Sequence, residues 1–229
     1  MENWKTRKII LFITLCVCLN VCGKLISVHF ELPLWADSFG TVLCAYIAGP
    51  VCGAIVGLTG NLAYCVVSHL SAAYSLTSIA LGIIVGIASK RKWFDHFYGF
   101  MKAATMVVFT ALIVSVPLDL LFNNGCTGNK WGDGVHGYML DKGVSPFFSC
   151  IIGQLAVEFV DKVLTIAAVY LVFLIRRARG SYISGENGKK DGAAKAALIL
   201  IITLGLYLYM PAEASESSSE DGTVCLTRC

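Results

Sequence analysis

Charge is the scarcest commodity in this sequence. Only 14% of its 229 residues are Asp, Glu, Lys or Arg, and 56% are hydrophobic. A soluble domain carries roughly 25% charged residues. A chain this poor in charge is not a globular domain with one anchor. It reads as an integral membrane protein with several spans. Catalytic constellations are missing as well. There is no evident cluster of serine, histidine and carboxylate and no His-Glu-x-x-His helix, so an enzyme is not expected. No glycine-rich phosphate loop ends in Lys-Ser or Lys-Thr; "GENGKKDG" has the wrong spacing and ends in Lys-Asp. Ten cysteines are present, but Cys16, Cys18, Cys22, Cys44, Cys52, Cys65 and Cys150 sit in apolar runs, where cysteine acts as a small hydrophobe. Only Cys126, Cys225 and Cys229 lie in polar stretches. Cys16, Cys18 and Cys22 do not share one helical face and have no histidine near, so neither a metal site nor any other cofactor is expected.

What is present is a series of apolar runs. The first, Ile9 to Val28, follows the basic head "MENWKTRK" and has the length of a retained span. The next apolar stretch runs from Leu32 to His69. As one helix it would be about 57 Å long, nearly twice a bilayer core. It must fold back, and Gly49-Pro50 is the place, because glycine ends a helix and proline suits the first turn of the next. The spacing predicts spans at Leu32 to Ala48, Pro50 to His69, Ser75 to Ala88, Tyr98 to Phe122 and Phe147 to Ile175. The expected fold is therefore an all-α six-helix membrane bundle over residues 1–180. A linker at 181–192 would lead to a seventh helix at 193–210 and a disordered external tail at 211–229.

Basic residues orient this bundle. With the N-terminus in the cytoplasm, thirteen Lys and Arg fall in cytoplasmic segments, chiefly "KTRK", "KRK", "RRAR" and "KK". Outside lie only Lys24, Lys130, Lys142 and Arg228. The excess follows the positive-inside rule. The seventh run has a basic head, an apolar middle and a small-residue "AEAS" end, the pattern of a secretory signal placed internally. It reads either as a plain seventh helix or as the remnant of a longer ancestor with an external domain.

Small residues line the middle of the chain. Gly49, Gly53 and Gly57 recur at every fourth position, followed by Gly60, and Ser78, Gly82 and Gly86 repeat the device. In lipid such faces let backbones approach closely. They serve either packing within the bundle or docking of a partner helix. On the second reading Gly49, Gly53, Gly57, Gly82 and Gly86 form the docking face.

Polar groups inside spans are costly in lipid and mark cavities or partners. Gln154, Glu158 and Lys162 stand at four-residue steps and share a helical face, with Glu158 and Lys162 able to pair. One reading is an ion pair that pins the sixth span to the bundle, with Lys24 or Asp37 as further partners. The other is a pocket wall. The candidate substrate-binding residues are Asn20, Asp37, Asn61, Tyr64, Trp131, Gln154 and Glu158. The interval Asn123 to Pro146, with Trp131, His136, Tyr138 and several glycines, is either a lid over such a pocket or a solvated connector.

The order "CLNVCGKL", "ELPLWADSFGTVLCAYIAGPVCGAIVGLTGNL" and "EFVDKVLTIAAVYLVF" resembles the membrane substrate-binding (S) components of energy-coupling-factor (ECF) transporters. The resemblance is to an uncharacterised branch related to bacterial membrane sensor modules. It covers about Lys8 to Arg177 and is carried by Leu32-Pro33, Asp37-Ser38, Gly40-Thr41, Gly49-Pro50, Gly53, Gly57, Thr59 and Asn61-Leu62. It implies six helices in a bacterial plasma membrane, a cytoplasmic N-terminus, and an outward pocket closed by external loops. It also implies docking on a transmembrane coupling protein driven by two ATPase subunits, and toppling in the membrane to release cargo. Family members that carry nickel or cobalt begin Met-x-His, whereas this chain begins Met1-Glu2-Asn3, so a vitamin-like organic cargo is expected. The alternative is a ligand-sensing transmembrane module of a bacterial signalling system. A third reading is an anchor that exports an external tail.

Overall fold

The computed structural model describes residues 2–183. Among these residues every regular element is helical, with no strand. Seven α-helices follow one another: α1 (Glu2–His29), α2 (Phe39–Ala48), α3 (Pro50–Tyr64), α4 (Ser71–Lys90), α5 (Phe97–Phe122), α6 (Lys130–Asp141) and α7 (Pro146–Ile183). A 3-10 turn at Trp93–Asp95 joins α4 to α5. Three of the helices, α1, α4 and α5, are long and apolar enough to cross a membrane. With 38 residues α7 is long enough too, but it carries Glu158, Asp161 and Lys162 in its middle. The linker from 184 onward, the expected seventh helix and the tail lie outside the described residues.

Several boundaries differ from the expected ones for local reasons. The stretch Leu32 to Ser38 is not helical, and α2 has only ten residues. Leu32 precedes a proline, which disfavours the α conformation, and Glu31 and Ala36 adopt positive φ of 53° and 52°. The fold-back at Gly49 is present and takes one residue, with φ +92°, a conformation that suits glycine. Neither arm of the resulting hairpin spans a 30 Å core, since α2 rises about 15 Å and α3 about 22 Å. By contrast α4 begins at Ser71, four residues before the expected start. The interval after Asn123 also contains a helix, α6, which packs on α7.

The glycines explain how the hairpin and α4 fit together. A methyl group at Gly53 would strike Ala45 of α2, and one at Gly57 would meet the Ser78 carbonyl of α4 at 2.6 Å. At Gly82 it would lie 2.5 Å from the Gly53 backbone, and at Gly86 it would enter Pro50. The small-residue face proposed as a docking surface is therefore occupied by the chain's own helices. Gly53, Gly57, Gly82 and Gly86 are buried, and Gly49 forms the turn.

The bundle has two unlike ends. Where α4 ends and α5 begins, Leu81, Val85, Phe94, Phe100, Val107 and Ile166 form an apolar core, with Phe100 and Tyr170 stacked at 4.6 Å. At the opposite end the buried residues are polar: Lys24, Ser71, Ser115, Asp119, Gln154, Glu158 and Asp161. The outside is apolar, with Leu15, Phe109, Ile113 and Leu121 all at least 60% exposed. Polar inside and apolar outside is the pattern of a bundle solvated by lipid.

Gly82→Val is expected to lower the stability of the detergent-solubilised protein by about 1–3 kcal/mol, because the added carbons meet backbone. Ile113→Val on the exposed face is expected to stay within about 0.5 kcal/mol. Thermal unfolding followed by size-exclusion chromatography checks both.

Candidate ligand-binding site

A cavity of about 340 Å3 lies at the polar end, between α1, α3, α4, α5 and α7. Its volume falls within the range of small-molecule pockets. Three connecting segments border it: residues 30–38, which contribute Trp35 and Asp37, residues 65–70, which contribute Val67, Ser68 and Leu70, and residues 123–129, which contribute Asn123, Thr127 and Gly128.

The walls are built around two lysines. Lys162 of α7 donates to Ser38 Oγ at 2.7 Å and to Asp161 at 2.5 Å. Its Nζ is also 3.2 Å from Glu158 Oε2 and 3.8 Å from Asp37 Oδ1. Lys24 of α1 reaches Asp37 Oδ2 at 3.2 Å and Ser71 Oγ at 3.3 Å. Its ammonium also sits 4.8 Å from the Tyr64 ring centre and 5.3 Å from that of Trp35. Asp161, fully buried, accepts from the Ala36 amide at 2.8 Å. The roof segment 30–38 is thus tied to α1 and to α7 by charged groups, which explains why a non-helical stretch holds its place there.

The second roof segment has its own supports. Asp133 of α6 accepts from the Thr127 amide at 2.6 Å, the Thr127 hydroxyl at 2.9 Å and the Gly128 amide at 3.2 Å. Burial pushes its carboxyl above the usual range, and these bonds offset part of that rise. A clasp joins the two segments. Asn129 Nδ2 donates to the Leu32 carbonyl, and the Trp131 indole donates to the Glu31 carbonyl, both at 2.9 Å. Lys130 adds an exposed ion pair with Glu31, which contributes little.

The seven residues singled out from the sequence divide into two groups. Asp37, Tyr64, Gln154 and Glu158 line the cavity. Asn20, Asn61 and Trp131 do not. Asn20 is buried against the start of α2, accepting from the Gly40 amide at 2.6 Å and donating to Thr41 at 2.8 Å. Asn61 stands behind the wall. It donates to Ser78 at 2.7 Å and accepts from Ser71 at 3.1 Å, orienting two hydroxyls that do face the cavity. Trp131 belongs to the clasp. His136 is buried in α6, its carbonyl accepting from Ser149 at 2.5 Å, and Tyr138 is half exposed. Sequence reasoning missed Trp35, Ser68, Ser71, Tyr74, Thr77, Ser78 and Ser115 as lining residues, whereas Asn123 and Thr127 belong to the interval read as a lid. Ser71, Tyr74 and Ser78 recur at helical spacing. That signal was available, but it lay partly ahead of the expected start of the helix.

Compared with family models, curated proteins and solved structures, the chain matches none.

Lys162→Met is expected to destabilise the folded protein by about 3–5 kcal/mol, because it leaves the fully buried Asp161 without its cation. The double variant with Asp161→Leu is expected to recover part of the loss. Thermal unfolding of both proteins in detergent measures the difference.

Proposed function

We propose that this chain is the membrane-embedded substrate-binding subunit of an ATP-driven energy-coupling-factor importer in a bacterial plasma membrane. It captures a small, vitamin-like organic molecule from outside. The observation that carries this reading is the cavity at the polar end of the bundle, roofed by two clasped segments and lined by ionised, hydroxyl and aromatic side chains. A bundle that only anchored a tail would have no use for buried charge around an open space, since charge inside a membrane is expensive.

In this reading α1, α4, α5 and α7 cross the membrane, α2 and α3 enter it as a hairpin beside them, and the N-terminus is cytoplasmic. The roofed cavity faces outward, as the external position of residues 123–146 requires. Release of the clasp between residues 30–38 and 123–129 opens the cavity. The chain has no phosphate loop, so the driving force comes from two ATPase subunits through a transmembrane coupling protein. The buried glycines serve the inside of the bundle, and the coupling protein contacts other surfaces.

Purification of the tagged full chain from its native membrane in mild detergent, followed by mass spectrometry, tests the assignment. The expected result is recovery of a transmembrane coupling protein together with two ATPase subunits. Recovery of a kinase or phosphatase instead, or of a folded protein with no ATPase, overturns it in favour of a sensor or an anchor.

A further inference from the structure

Hydroxyl and indole groups line the cavity, and so do two cations. Both lysines that face it are already engaged. Lys162 is surrounded by Ser38, Asp161, Glu158 and Asp37, and Lys24 by Asp37, Ser71 and two aromatic rings. Acceptors are left over. Gln154 Nε2 donates to Glu158 Oε1 at 3.2 Å. Because an ionised carboxylate only accepts, this bond fixes which way the Gln154 amide points. Gln154 Oε1 is then left buried with no hydrogen-bond partner, and so is Glu158 Oε2, whose neighbour Lys162 is close without hydrogen-bond geometry. Both side chains are at least 96% buried, and both line the cavity.

The charges point the same way. On the wall two ammonium groups, Lys24 and Lys162, meet two carboxylates, Asp37 and Glu158, and a third, Asp161, is buried behind them against Lys162. Behind Tyr74, which also lines the cavity, the fully buried Asp119 accepts from the tyrosine hydroxyl and keeps a second oxygen without a partner. An unpaired carboxylate in a low-dielectric interior is costly unless something positive joins it.

We infer that the cavity takes a small organic cation bearing N–H donors, a protonated amine or amidine. Its charged end is received by Gln154 Oε1 and Glu158 Oε2, and its flat or apolar part lies among Trp35, Tyr64 and Tyr74. This rests on the reading of the cavity as a capture site, and it adds the chemical class of the cargo. A charge-assisted hydrogen bond to a carboxylate is among the stronger polar contacts available, so the donor end dominates selectivity. A protonated Glu158 would donate, and would favour a neutral or anionic ligand.

Three probes of one shape separate these cases: benzamidine, benzamide and benzoate, titrated against the purified full chain in detergent by calorimetry and thermal unfolding. Benzamidine is expected to bind about tenfold or more tightly than the other two. Glu158→Gln is expected to abolish that preference. Gln154→Leu, which removes only the neutral acceptor, is expected to reduce it and serves where Glu158→Gln does not yield folded protein. Equal or tighter binding of benzoate or benzamide overturns the assignment of a cation while leaving a capture site in place. Absence of binding by all three to folded protein overturns both. Retention of the benzamidine preference in Glu158→Gln and Gln154→Leu also overturns the inference. Failure to recover ATPase partners, with the benzamidine preference intact, leaves the cargo class standing and removes only the transporter assignment.

Discussion

The ammonium of Lys162 is the point on which the polar half of this protein turns. It is 2% exposed and meets two carboxylates of its own helix and one of the 30–38 segment, together with the Ser38 hydroxyl. In a low-dielectric interior such a group is tolerated only when it is paired and hydrogen-bonded. The requirement runs in both directions. The lysine needs the loop, and the loop, which has no helical hydrogen bonds of its own between Leu32 and Ser38, needs the lysine and Asp161 to hold it. Lys24 repeats the arrangement from α1. The roof of the cavity is therefore held by electrostatics and hydrogen bonds at a place where apolar packing has little to offer.

The other half of the bundle is held differently. Between helices in lipid there is little hydrophobic drive, and close backbone contact takes its place. Gly53, Gly57, Gly82 and Gly86 bring α2, α3 and α4 within reach of one another's backbones. Tight glycine contact along this hairpin and bulky polar side chains at the far end produce a bundle that is closed at one end and open at the other. The cavity is the geometric result. Asn20 and Asn61 stand at the boundary between the two regimes and tie the hairpin to α1 and α4 through short polar contacts.

Much of this was legible in the sequence where the signal is local. The Gly49-Pro50 turn follows from two residues whose backbone preferences leave few alternatives. Gln154, Glu158 and Lys162 share a face because 3.6 residues make a turn, and they do meet one another. What was misread lay where local and distant effects compete. The segment from Leu32 to Ser38 is apolar enough to pass for helix, yet Pro33 and distant charges on α1 and α7 hold it in an irregular course. Ser71 and Tyr74 lie just ahead of the expected start at Ser75, whereas they form the first turn of α4 and line the cavity. Trp131 and Asn61 are polar or amphipathic residues near the site, and no spacing rule tells whether such a residue faces a cavity or stands one layer behind it.

By itself, then, the sequence determined that the chain holds helices long and apolar enough to cross a membrane, where its hairpin turns, and which face of α7 is polar. These follow from composition, backbone preference and helical period, all properties of neighbours along the chain. The tertiary structure alone decided that the glycine stripe faces inward, that a non-helical segment roofs the cavity, and which polar groups keep an acceptor free. Those depend on contacts between residues far apart in the chain, as between Ala36 and Asp161, 125 positions apart. No local rule reaches that far, because the energy of a buried polar group is set by whatever the fold places beside it.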